Sequence, residues 1–232
     1  MFRPNNVGRE PSSSASKLSI QYQKQYNIDN ESGGGRNIPI TVLYCRLSRA
    51  EIMKATYRHR LREVALDQYG YVTPRDADRL GIPKIELQKL AHRGGLSNVG
   101  WGLYRFDDIP VTARDHYMEA VLWVGRDALL TADAVLALHQ LGQVNPKTLH
   151  VVTPHRVRRT GRRDIQVSRR TIPDAERTRY FGIPATTIFR ALLDARDMLM
   201  PIRLREAAEQ ARTEGLLTAA EYESLNTELV GV

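Results

Sequence analysis

The side chains best suited to chemistry lie between Tyr69 and Phe106, in the stretch YGYVTPRDADRLGIPKIELQKLAHRGGLSNVGWGLYRF. Laid out at about 100° per residue, Ile85, Gln88, Lys89 and His92 share one side of a helix, and Leu87, Leu90 and Ala91 share the other. Lys84 and Arg93 bracket the run. Amide, ammonium and imidazole groups on one face of a short helix can hydrogen-bond base edges and phosphates of duplex DNA. A solvated helix face has the same composition, so the surrounding elements must decide. A second concentration is HRVRRTGRR, His155 to Arg163, where Arg156, Arg158, Arg159, Arg162 and Arg163 occur without an acid. Guanidinium groups this close repel one another unless an anion lies among them. The stretch is therefore a candidate clamp for a nucleic-acid backbone, a nucleotide phosphate or an acidic partner, with a solvated loop as the alternative.

Other chemistries lack their motifs. The chain has no G-x-x-x-x-G-K-[ST] loop, no G-x-G-x-x-G after a strand, no H-E-x-x-H and no G-x-S-x-G elbow. Its histidines, at positions 59, 92, 116, 139, 150 and 155, show no ligand spacing, and the lone Cys45 can form neither an intramolecular disulfide nor a cysteine-based zinc site. No catalytic residue, cofactor or metal is expected on this basis, although a site assembled from distant residues stays open. The 232 residues carry 34 Lys and Arg against 26 Asp and Glu, a net +8. A surplus of that sign favours an anionic partner. No apolar run approaches the ~18 residues of a membrane span, and no apolar region follows the basic N-terminal residues. The expectation is a soluble, cytoplasmic protein with no membrane partner.

The elements that must position these residues can be read from capping and periodicity. Lys54 to Gln68 is amphipathic, with Tyr57, Leu61, Val64 and Ala65 on one stripe, Leu66 beside it, and Arg58, Arg60 and Arg62 outward or flanking. Gly70 to Val72 is extended, Thr73 caps a helix opened by Pro74, and that helix ends near Leu80. Gly81 turns the chain into a second helix, from Ile82-Pro83 to Gly94-Gly95. Leu96 to Val99 and Leu103 to Phe106 then form a hairpin across Gly100-Trp101-Gly102. Two short helices joined by a tight turn and followed by such a wing are the geometry of a winged helix-turn-helix. Its wing adds Asn98, Trp101 and Arg105 as candidate DNA-facing residues. Trp101, between two glycines, could stack on a sugar, wedge in the minor groove, or pack back on the protein.

Further on, His116 to Val124 is a mostly buried helix, and Thr131 caps a helix over Ala132 to Leu141. Leu149 to Thr153 and Asp164 to Ser168 are strands, which makes the arginine run the loop of a hairpin. Arg179 to Pro184 is a strand and turn. Thr186 or Thr187 caps a helix to about Leu199, Pro201 opens another to Thr213, and Thr218 with Glu221 forms a capping box for the last. The fold class is α+β: a winged helix-turn-helix at residues 53–107, then a mixed α/β C-terminal domain at 108–232 with a small sheet and terminal helices. Residues 1–52, rich in Ser, Gly, Asn and Gln, are read as a disordered extension or one upstream of a true start at Met53, with a brief apolar run at Ile38 to Tyr44.

The stretch YRHRLREVALDQYGYVTPRDADRLGIPKIELQKLAHRGGLSNVGWGLYRF resembles the N-terminal winged-helix domain of AbiEi-type antitoxins, with the wing at Gly95 to Arg105. LLTADAVLALHQLG, LHVVTP and FGIPATTIFRALLDARD resemble the family's C-terminal domain. Trp101 stands where relatives often carry a basic residue, so no wing contact is carried over there. The resemblance implies an antitoxin of an abortive-infection toxin–antitoxin pair, partnered with a nucleotidyltransferase-like toxin. It also implies a transcriptional autorepressor that binds double-stranded operator DNA. That role falls on Lys84, Gln88, Lys89, His92 and Arg93, with Thr73 and Arg75 at the start of the preceding helix. The arginine run would make a second DNA contact or face the toxin. The alternative is an atypical serine/threonine protein kinase that phosphorylates its toxin, which would need ATP and Mg.

Overall fold

A stripe of apolar residues on the first helix needs a floor to cover, and two further helices and a hairpin supply it. The computed structural model describes residues 49–158 and 162–230. The expected disorder before Met53 and the run Ile38 to Tyr44 fall largely or wholly outside these residues. Helix α1 spans Arg49–Asp67. Leu61 and Ala65 are fully buried, while Leu66, beside the stripe, is 55% exposed.

Strand β1 (Tyr71–Val72) leads into α2 (Pro74–Arg79). Thr73 caps it: its N–H and its hydroxyl both donate to Asp76 Oδ2, at 2.9 and 2.6 Å. The left-handed backbone of Gly81, φ +64°, reverses the chain, and Ile82 N–H returns to Ala77 O at 2.8 Å. Arg60 of α1 donates to Leu80 O at 2.6 Å, satisfying a carbonyl at the end of α2. Helix α3 (Ile85–His92) starts three residues later than Ile82 because the chain is still turning through Pro83 and Lys84. Strands β2 (Leu96–Gly100) and β3 (Leu103–Phe106) pair antiparallel, and the sheet order is β1-β3-β2.

One residue flips the face. Val72 and Tyr104 join Leu61, Leu87, Leu90 and Phe106 in one core, and their neighbours Tyr71 and Leu103 enter a second. The three-stranded sheet therefore has apolar packing on both sides. The second core lies under α4 (Asp115–Val124), β4 (Leu129–Leu130) and α5 (Asp133–Leu138), and a five-stranded sheet completes it. That sheet contains β5 (Leu149–Thr153), β6 (Ile165–Arg169), β7 (Arg177–Tyr180) and β8 (Ile183–Thr186), in the order β6-β5-β4-β8-β7. Helices α6 (Ile188–Ala195), α7 (Pro201–Thr213) and α8 (Ala219–Val230) close the chain. Helices and mixed sheets thus make an α+β fold.

Three expectations change. Strands β5 and β6 are parallel, with Leu149 opposite Ile165 and Thr153 opposite Arg169, so their connection is a crossover and not the expected hairpin. Alternation within each strand is the same for either direction, which is why the sequence did not separate them. Second, Thr131 does not cap α5. Its hydroxyl donates to Asp194 Oδ2 at 2.7 Å, and the cap position is Ala132, at φ +50°. Third, α5 stops at Leu138. Gln140 and Gly142 both turn left-handed, at φ +59° and +58°, and bring a short 3-10 turn (Leu141–Gln143) against α7. The hairpin β7–β8 does form, across Phe181 and Gly182, whose φ of +52° and +80° suit a two-residue turn.

Two predictions follow from contacts in this core. A Cβ at Gly142 would sit 2.6 Å from Arg203 O and 2.9 Å from Ala207 Cβ. Gly142→Ala is expected to destabilise by about 2–4 kcal/mol, combining left-handed strain with overpacking, as read by urea denaturation. Asp194 is the second case. Burial pushes its carboxyl up, but hydrogen bonds from Arg170, Arg190 and Thr131 outweigh this and hold it below its usual value. A lowered folded pKa stabilises above the unfolded carboxylate value, roughly 3.9, and the contribution disappears as pH falls through the folded value. Asp194→Asn should therefore be less stable than the parent at neutral pH, with the gap closing below about pH 4; parallel stability–pH curves would remove this role.

Candidate nucleic-acid interface

Helix α3 buries one side and presents the other. Leu87 is fully buried and Leu90 is 9% exposed, whereas Ile85, Gln88, Lys89, His92 and the flanking Lys84 and Arg93 are exposed. Two of these cations already have partners: Lys84 Nζ lies 3.0 Å from Asp78 and Lys89 Nζ lies 2.8 Å from Glu86. The Glu86 side chain is only 11% exposed, so Lys89 neutralises a largely buried carboxylate as well as facing solvent. The i, i+3 spacing of this pair is legible in the sequence. Gln88, His92 and Arg93 have no ion pair or side-chain hydrogen bond among the described residues.

Between the end of α3 and the wing runs an open cleft of about 620 Å³, whose lining includes Gln88, His92, Gly94, Ser97, Asn98 and Asp107. The structure thus brings Gln88, His92 and Asn98 to one place. Asn98 Oδ1 accepts from Gly100 N–H at 3.1 Å, which shapes the tip and leaves its amide nitrogen unpaired among the described residues. Ser97 donates to Asp107 at 2.6 Å; neither was singled out by sequence, because their meeting depends on the β2–β3 register. Trp101 does not pack back on the protein; it is 84% exposed at the hairpin tip. Arg75 is exposed on α2 and makes no ion pair among the described residues; its guanidinium lies near Gly125.

Other candidates turn inward. Arg105, expected on the wing surface, is only 13% exposed at its side chain, and it donates to Asp115 at 3.1 Å and to Ile109 O at 2.8 Å. Alternation along β3 takes it away from the wing's outer face. The Thr73 hydroxyl is committed to Asp76 in the cap. On α1, Arg62 donates to Asp108 at 2.8 Å, and that hydrogen bond holds the Asp108 carboxyl below its usual range. Arg58 lies over the Phe106 ring, 5.5 Å from its centroid.

The arginine run also divides. Arg156, Arg158 and Arg163 are exposed and without an ion pair among the described residues, while Arg159 lies outside them. Arg162 is not part of an open clamp. It pairs with both Asp164 and Glu119, and Glu119 also accepts from the Tyr71 hydroxyl at 2.8 Å. Burial, followed by the Glu119 contact, pushes the Tyr71 phenol up from its ordinary value. Elsewhere Asp133 lies 2.6 Å from His150 Nδ1, and Asp127 lies 2.9 Å from His155 Nε2. Among the described residues no group of three or more His, Cys, Asp or Glu side chains is placed to hold a metal ion, and no helix is long and apolar enough to cross a membrane.

The inward Arg105 gives a test that separates structure from recognition. Arg105→Met leaves Asp115, 6% exposed, without its cation. The expected cost is about 3–5 kcal/mol in urea denaturation; a variant as stable as the parent would return Arg105 to the DNA-facing set. No curated protein matches the chain. Residues 59–106, from within α1 to the end of β3, match the family described as transcriptional regulator, AbiEi antitoxin.

Proposed function

We propose that the protein is an antitoxin that represses transcription by seating α3 in the major groove of its own operator DNA. In this reading Gln88, Lys89 and His92 reach base edges, and Lys84 and Arg93 meet the phosphates on either side. The cleft beside α3 receives the backbone strand between groove and wing. Trp101 then lies against the adjacent sugar or minor groove, where an indole loses exposed surface. Arg156, Arg158 and Arg163 supply further positive charge. The observation that carries the proposal is the pairing of an exposed polar face on α3 with a wing tip whose tryptophan is almost wholly exposed. The family match supports the antitoxin role, and within it a nucleotidyltransferase-like toxin is the partner proposed.

The test is fluorescence anisotropy on the upstream duplex against a scrambled one, across several salt concentrations. Gln88→Ala and Trp101→Ala are each expected to weaken specific binding about tenfold, as loss of ~1.4 kcal/mol requires, without lowering stability. These positions are preferred to Lys89, whose removal would strand Glu86. Arg93→Ala should weaken both duplexes alike and reduce the salt slope by about one. Equal, weak binding of the parent to both duplexes would sink the repressor reading.

A further inference from the structure

Strand β6 is one of the two edge strands of the five-stranded sheet, with β5 on one side. Leu149 N–H donates to Asp164 O, and Arg170 N–H donates to Thr153 O. In a parallel ladder, groups facing a given neighbour recur every second residue, so Asp164, Gln166, Ser168 and Arg170 face β5. The main-chain groups of Ile165, Val167 and Arg169 therefore point outward, and no hydrogen bond satisfies them among the described residues. Val167 is half-buried against the second core and Ile165 is buried, so the strand is held rigidly on its inner face. It is a fixed row of alternating donors and acceptors.

The geometry points to β6 as a docking edge for an extended, acidic segment of a protein partner, added to the sheet as a further strand. Charge selects the occupant. From His155 to Arg170 the sequence holds seven arginines and one aspartate. Arg163 and Arg169 flank the edge and are exposed, and neither has an ion pair among the described residues. A second copy of this chain would bring the same cations together, which is how natural edges discourage self-pairing. The chain's own first 48 residues carry six Lys and Arg against three Asp and Glu, so they too have the wrong sign. Nucleic acid has the right sign but the wrong pattern, because the outward carbonyls would face phosphate oxygens. An acidic strand satisfies both the ladder and the arginines. This assignment does not rest on DNA binding by α3.

The experiment is amide hydrogen exchange by NMR on the full chain, with an alternating glutamate–valine heptapeptide and its lysine–valine counterpart as probes. In the free chain the Val167 and Arg169 amides should exchange fast, and those of Gln166 and Ser168 slowly. The acidic peptide should slow Val167 and Arg169 about tenfold, and the basic peptide should leave them unchanged. Val167→Pro removes one outward donor without touching the β5 ladder and should abolish the protection. Arg163→Glu leaves the backbone intact and should weaken it about tenfold, so the proposal remains testable if the proline variant does not fold. Slow exchange in the free chain, equal protection by both peptides, no protection by either, or the same pattern produced by duplex DNA would each overturn the assignment.

Discussion

The buried pair between Arg105 and Asp115 fixes how the two halves of the protein meet. Its partners lie on β3 and at the first residue of α4, and Asp115 also accepts from the N–H and hydroxyl of Thr112, at 2.8 and 2.6 Å. Two charges taken this far out of water are tolerable only when their remaining bonding capacity is met. Here the Ile109 and Phe106 carbonyls and Thr112 largely meet it, while Arg105 Nε has no partner among the described residues. The pair is directional in a way that apolar packing is not. It sets the small sheet at one orientation over α4, so the exposed face of α3 and the wing are held relative to everything that follows.

Around that junction the molecule repeats one device. A surface cation is borrowed to satisfy a group left over by a turn or a helix end. Arg60 serves the Leu80 carbonyl, Arg177 serves the Ile172 carbonyl at 2.8 Å, and Arg62 holds Asp108 in the link after β3. The positive composition is thus spent partly inside the fold. Among the described residues, the exposed cations without an ion pair include Arg93 beside α3 and Arg156, Arg158 and Arg163 between β5 and β6.

This explains what was legible in the sequence. Most caps were, because Thr73-Pro74, Thr187 and Thr218 with Glu221 act over three or four residues, whereas Thr131 is drawn away by the distant Asp194. The buried face of α3 was, because periodicity fixes which side Leu87 and Leu90 take. The direction of β6 was not, since nothing local distinguishes a parallel from an antiparallel neighbour. Strand β4 was missed because two residues, Leu129 and Leu130, carry no alternation. For the site, exposure of Gln88, Lys89 and His92 followed from the helix alone. The inward turns of Arg105 and Arg162 did not, because each depends on a carboxylate contributed by α4, Asp115 for one and Glu119 for the other.

The sheet order has a consequence for biosynthesis. Strand β4 lies at the centre of the five-stranded sheet, yet one of its two neighbours is β8, through Leu130 and Ala185. During synthesis from the N-terminus, the first core can close as soon as β3 has emerged, since its contacts are local. Tyr71 and Leu103 on the other face of the small sheet then have no cover until α4 and the later strands arrive. The central strand stays unpaired on one side for longer still. The wing is therefore assembled early on a sheet with one wet face, and nascent chains in that interval carry the apolar surface and open edges that invite misassociation.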